Sequence, residues 1–173
     1  MRQQVRITLI SLLCLIVSLK TQGQDGPLIL KTGFGIPEIS NVAVGLQYMQ
    51  AQFVVGFGYL PLPEDVITAR FADIYLHLLG SSRFTSIHPW YLRAGISGFR
   101  EKTPRWIDRF SYLNLRMGRS FHLNKQLAIE FDLGAAFELS YSREEIVPTT
   151  RWFSIDFPVL PGIGTRLVYR IGL

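Results

Sequence analysis

Between residues 126 and 142 the chain alternates between two kinds of side chain. Leu127, Ile129, Phe131, Leu133, Ala135, Phe137, Leu139 and Tyr141 share one phase, and Ala128, Glu130, Asp132, Gly134, Ala136, Glu138 and Ser140 share the other. Period two is the mark of a strand, because successive side chains point to opposite faces. A helix would put Glu130 and Leu133 on one side. The same alternation recurs at Trp90–Ser97, Tyr112–Met117, Gln52–Tyr59 and Ile163–Gly172, and more weakly over 28–36, 42–49 and 66–79. That predicts eight strands, several near the roughly ten residues a tilted membrane strand needs. Short connections are expected at Met49–Gln52 and His122–Lys125. Longer polar ones are expected over 98–108 and 143–150, with Pro104 and Pro148. The stretch Gly80–Pro89 is a long connection on the side of the short turns and departs from this pattern.

Alternation alone does not say which face is inside. Side-chain size does. The more polar phase carries Gly45, Gly56, Gly58, Gly95, Gly134, Ala136 and Gly164. An eight-stranded barrel leaves an interior just wide enough for side chains, so small residues belong there. The phase rich in Leu, Ile, Phe, Tyr and Trp then points outward, toward lipid. Strands in hydrocarbon must close on themselves to satisfy their backbone groups. Two aromatic girdles are expected, Tyr48, Phe53, Trp90, Phe121 and Tyr169 at one end and Tyr59, Phe99, Trp106, Tyr141 and Trp152 at the other.

Composition adds a compartment. Hydrophobic residues make up 48% of the 173, yet the only long apolar run is Ile7–Leu19, behind Arg2 and Arg6 and ahead of the small residues Thr21 and Gly23. This reads as a signal peptide over 1–23, cleaved before Gln24, leaving one domain over 24–173. The single cysteine, Cys14, lies inside the apolar run after Leu13, which is not a lipidation site, and the mature chain would have no thiol. Of 18 Lys and Arg, three (Arg2, Arg6 and Lys20) fall in the first 23 residues, leaving fifteen against 13 acidic residues. The basic balance is thus partly a property of the leader, and nucleic acid is not an expected partner.

Taken together, residues 28–173 resemble the small eight-stranded outer-membrane barrels, such as the transmembrane domain of OmpA and OmpX. The closing Tyr169-Arg170-Ile171-Gly172-Leu173 resembles a barrel-assembly signal, with Leu in place of the usual Phe. The resemblance implies an all-β, up-and-down antiparallel transmembrane barrel in the bacterial outer membrane. Its surroundings would be outer-membrane lipid and lipopolysaccharide.

The expected interior phase holds Lys31, Asp73, His77, Arg93, Arg116, Glu130, Asp132, Glu138, Arg166 and Arg170. Near-balance of charge predicts an ion-paired plug rather than a selective pore, since buried charges persist only when paired. Arg166 is expected opposite Asp132, and Arg116 beside Glu130 and Asp132. Arg70 and Arg119 fall on the outward phase near strand ends and could reach lipid phosphates. The polar tip Arg143, Glu144, Glu145 and Arg151 would cap a projecting hairpin able to meet a protein partner. Within it, Trp152–Phe157 is expected to pair with the preceding strand, and Pro158 and Pro161 to mark a bulge or bend near the outer interface. His77, His88 and His122 all fall toward the short-turn end, away from Ser140 and Ser142, so no nucleophile has a base within reach. No metal-ligand spacing or cofactor fingerprint occurs. The expectation is a non-enzymatic barrel with a structural or surface-interaction role. The alternatives are a narrow transporter for a small hydrophobic molecule and an outer-leaflet lipid-modifying enzyme.

Overall fold

A computed structural model of the chain describes residues 27–63, 65–146 and 158–172. The leader over 1–23, Arg151, Trp152 and the stretch 153–157 lie outside the described residues. Eight strands follow one another: β1 (Leu28–Ile36), β2 (Ile39–Tyr48), β3 (Ala51–Pro61), β4 (Val66–Leu79), β5 (Trp90–Lys102), β6 (Trp106–His122), β7 (Leu127–Glu145) and β8 (Val159–Ile171). Each pairs antiparallel with its neighbour in sequence, and β1 pairs β8 from Leu28↔Ile171 to Ile36↔Ile163, closing the barrel. Closure leaves no sheet edge at mid-height, as a barrel requires. There is no helix among the described residues.

The two faces sort as the alternation requires. Val42, Ile96 and Leu133 are 61%, 59% and 65% exposed, and the outward phase of every strand carries large apolar side chains. The interior holds the charges: Lys31, Asp73, Arg93, Arg116, Glu130, Asp132, Arg166 and Arg170 are all buried. Small residues make this possible. A Cβ at Gly95 would overlap the Asp73 carboxylate, and one at Gly58 the Glu38 carbonyl.

We call the end with Leu28 and Ile171 the lower end. There the long connection at 80–89 folds back against the barrel instead of standing free. His88 donates through its backbone N–H to Gln50 Oε1 at 3.0 Å, Gln50 donates to the Ser86 carbonyl at 2.9 Å, and Ile87 is buried. A connection that brings its own apolar anchor and hydrogen-bond partner is stable where a bare loop would not be. The turn after β6 is fixed by Asn124, whose Oδ1 accepts from the N–H groups of Gln126 and Leu127 at 2.8 and 2.7 Å.

At the upper end the rim is uneven. β1 and β2 are joined by Pro37 and Glu38 alone, and Pro37, Glu38 and Ile39 are all buried. Ile39 takes φ 53°, which turns the chain sharply inward. On the other side, β7 climbs past its last pair with β8 (Phe137↔Val159) to Glu145, paired with β6 throughout. Most of the expected polar loop 98–108 is therefore strand, with a tight turn whose Thr103 Oγ1 accepts from Arg105 and Trp106 N–H at 3.2 and 3.0 Å.

Two expectations about this end are corrected. The bulge lies on β7, while at the prolines only the expected bend is found, at Pro158. Ser111 pairs Ser140 while Tyr112 pairs Glu138, so Leu139 is the extra residue. Pro161 sits in regular pairing with Ala135, above the last β1–β8 pair at Ile36↔Ile163, where a missing N–H costs least. The Leu139 bulge also changes phase. Tyr141 and Arg143 face Phe110 and Asp108 across the ladder, on the interior phase of β6. Phe99 and Trp106 share that interior phase too, so of the expected upper girdle Tyr59 alone is exposed on the outside among the described residues. The lower girdle of Tyr48, Phe53, Trp90, Phe121 and Tyr169 is exposed throughout.

Candidate functional site

At mid-height three arginines and three carboxylates share one buried cluster. Arg93 on β5 reaches Asp73 at 2.6 Å, Glu38 at 2.9 Å and Asp132 at 3.5 Å. Arg116 on β6 reaches Glu38 at 2.7 Å and Asp132 at 3.0 Å. Arg166 on β8 lies 3.5 Å from Glu38 and pairs closely with Asp132. Arg116 also donates to the Ile36 carbonyl at 2.7 Å, and Tyr91 Oη to Asp132 at 3.4 Å. Three positive and three negative charges cancel. That is the condition under which charges tolerate removal from water.

The register refines the expected pairs. Arg166 lies across from Glu130, with Asp132 across from Gly164, so the Arg166–Asp132 contact is diagonal. Arg116 meets Asp132 and not Glu130. Glu130 instead takes Lys31 at 2.8 Å and the Ser120 hydroxyl at 3.2 Å, with Lys31 Nζ 3.6 Å above the Tyr75 ring.

Below lies a layer with fewer formal charges. His77 donates from Nδ1 to the His88 carbonyl at 2.6 Å and takes Gln52 at Nε2 at 2.8 Å, so both ring nitrogens are engaged. Arg170 donates to His122 Nε2 at 3.3 Å. Neither His77 nor Arg170 forms an ion pair among the described residues. Outside, Arg119 stacks 5.2 Å from Trp90 and 4.9 Å from Phe121, at the level of the lower girdle. Among the described residues no three His, Cys, Asp or Glu side chains come together in a way that could hold a metal ion.

The upper mouth is built differently. Phe99 lies 6.3 Å from Phe110, and Phe110 lies 6.1 Å from Tyr112 and 4.8 Å from Tyr141. Asp108 takes Arg143 through two contacts at 2.6 Å and the Tyr141 hydroxyl at 3.1 Å. The hydrogen bonds that Arg143 donates to Asp108 raise the guanidinium pKa above its ordinary value. Glu101 is half-buried, and burial together with Asp108 and Asp65 pushes its carboxyl above the usual range. Glu138, expected in the charge network, is half-buried across from Tyr112 and makes no ion pair among the described residues. The Pro37–Ile39 turn, Phe99, Glu101, Phe110, Tyr112 and Leu160 surround a half-open cavity of ≈ 270 Å³. On the outer wall of the hairpin, Glu144 pairs exposed Arg109 at 2.8 Å.

Glu38, like Asp108 at the mouth, is a buried interior acid that sequence reasoning missed. Pro-Glu between two strands reads as an ordinary solvated turn, and turn residues carry no phase. The surplus of one basic residue over the carboxylates in the interior phase was the available signal that a further acid was needed. No family model, curated protein or solved structure shows a significant match to the chain.

Proposed function

We propose that this chain is a non-enzymatic β-barrel of the bacterial outer membrane. A cleaved signal peptide would deliver it, and its role is structural or surface-interacting. One observation carries the reading: the barrel is inverted, with large apolar side chains outward on every strand and a neutralised ionic cluster inside. In water an exterior of that kind would associate without limit. In lipid it is the expected surface, and the closed ladder satisfies the backbone groups that hydrocarbon cannot. The lower girdle and Arg119 suit an interface with lipid headgroups, lipopolysaccharide included. The filled mid-height cluster suits a plug more than a porin-like channel. His77, held at both nitrogens, suits a structural role more than general-base chemistry. The surface role falls to the paired upper ends of β6 and β7, the highest described part of the rim, where a protein partner could meet Glu144 and Glu145. Fractionating cells that express the full chain tests this. The barrel is expected in the outer-membrane fraction, and it should refold in non-ionic detergent with a β-type far-UV spectrum. A detergent-free soluble monomer would overturn it.

A further inference from the structure

The upper mouth is a cup with a fixed floor. Its base is the inward turn Pro37–Ile39, tied down by Glu38 to three arginines and by Arg116 to the Ile36 carbonyl. Its walls are Phe99, Phe110 and Tyr112, and Glu101 is the charged group on the lining. Above the cup, the protein satisfies the same kind of surroundings with a cation of its own. Arg143 pairs Asp108 and lies 5.0 Å over the Trp106 ring and 5.9 Å over Tyr141. The cup repeats those ingredients, aromatic rings beside a carboxylate, but Arg143 acts on Glu101 only at longer range, and among the described residues Glu101 has no ion pair. Aromatic faces attract cations through their negative π-clouds, and ammonium groups are recognised in aromatic cages for that reason.

We propose that the cup binds a small organic ammonium ion with an apolar body, its charge between Glu101 and the faces of Phe99, Phe110 and Tyr112. Charge complementarity selects this occupant over others. An anion would meet Glu101 and Asp65, and the one cation acting on Glu101 there, Arg143, is already paired to Asp108. A neutral hydrocarbon would cover Glu101 without pairing it, which is costly for a group already half removed from water. At ≈ 270 Å³ the cavity lies just under the usual range of roughly 300–1,000 Å³ for drug-sized sites and suits a small ligand. The site does not depend on where the barrel resides, so its test stands apart from that of the membrane reading.

Isothermal titration of the full chain, refolded in a maltoside detergent free of ammonium headgroups, is the experiment. The probes are benzyltrimethylammonium, the neutral N-benzylacetamide and the anionic benzenesulfonate. Saturable binding of the cation is expected, with the neutral and anionic probes weaker by about tenfold or more. Glu101→Gln should weaken the cation about tenfold and leave the neutral probe unchanged. Should that variant fail to fold, Phe99→Leu, which removes an aromatic face and keeps an apolar wall, is expected to weaken the cation selectively. No saturable binding by the unaltered chain would overturn the proposal. Equal affinity for the cation and the neutral probe, or an unchanged affinity in the folded variant tested, would do the same.

Discussion

Glu38 and Asp132 face the same three guanidinium groups from opposite directions, one from a turn and one from the wall of β7. Neither can be removed quietly. Asp132→Ala leaves Arg166 and Arg116 with Glu38 alone, and breaking a buried pair of this kind costs about 3–5 kcal/mol. Urea unfolding of the refolded barrel in detergent should read that loss directly. Arg109→Ala is the contrast. Its partner Glu144 is 59% exposed, and exposed pairs contribute about 0–1 kcal/mol, so the midpoint should hardly move. Equal losses in the two variants would mean that the interior cluster is solvated.

On the scale of strands, alternation told which residues pair with which face wherever one phase ran unbroken. β1 and β4 carry the bounds read from the chain, and Lys31, Asp73, Arg93, Arg116, Glu130, Asp132 and Arg166 share the buried interior because a period of two leaves no choice. What alternation cannot report is an inserted residue in a run that still looks alternating. Leu139 is such a residue, and it is why Tyr141 points toward Asp108 and not toward lipid. Nor does alternation speak for charged strands above the barrel, so Arg100–Lys102 and Trp106–Asp108 read as loop. The bulge yields a sharp expectation. Deleting Leu139 removes the extra residue and keeps Asp108 across from Arg143, so a refolded barrel should survive it. Deleting Leu133 flips every residue above it to the wrong face. Heat-modifiable migration on gels, the mark of a closed barrel, should persist in the first deletion and vanish in the second.

For the molecule as a whole, among the described residues the rim is lowest at the Pro37–Glu38 turn and highest where the upper ends of β6 and β7 pair, so one side alone projects. If that side faces the medium, trypsin added to intact cells should cut at exposed Lys102 or Arg105 around the β5–β6 turn and spare the arginines inside, which are buried. A chain left whole in intact cells but cut after lysis would reverse the assigned orientation. The tethering of Glu38 has a further consequence, in time. Its ion-pair partners stand on β5, β6 and β8, 55, 78 and 128 residues away along the chain. None of those bonds can form until distant strands have come together, so they belong to the last events of folding. A contact made after the rate-limiting barrier slows escape without hastening arrival. Glu38→Gln should therefore leave the refolding rate nearly unchanged and appear almost wholly as faster unfolding. Stopped-flow kinetics in both directions would show it, and a matching loss in the refolding rate would place the turn in the folding nucleus. On this account the innermost acid of the shortest loop acts as a latch, setting how long the finished barrel lasts and not how fast it is made.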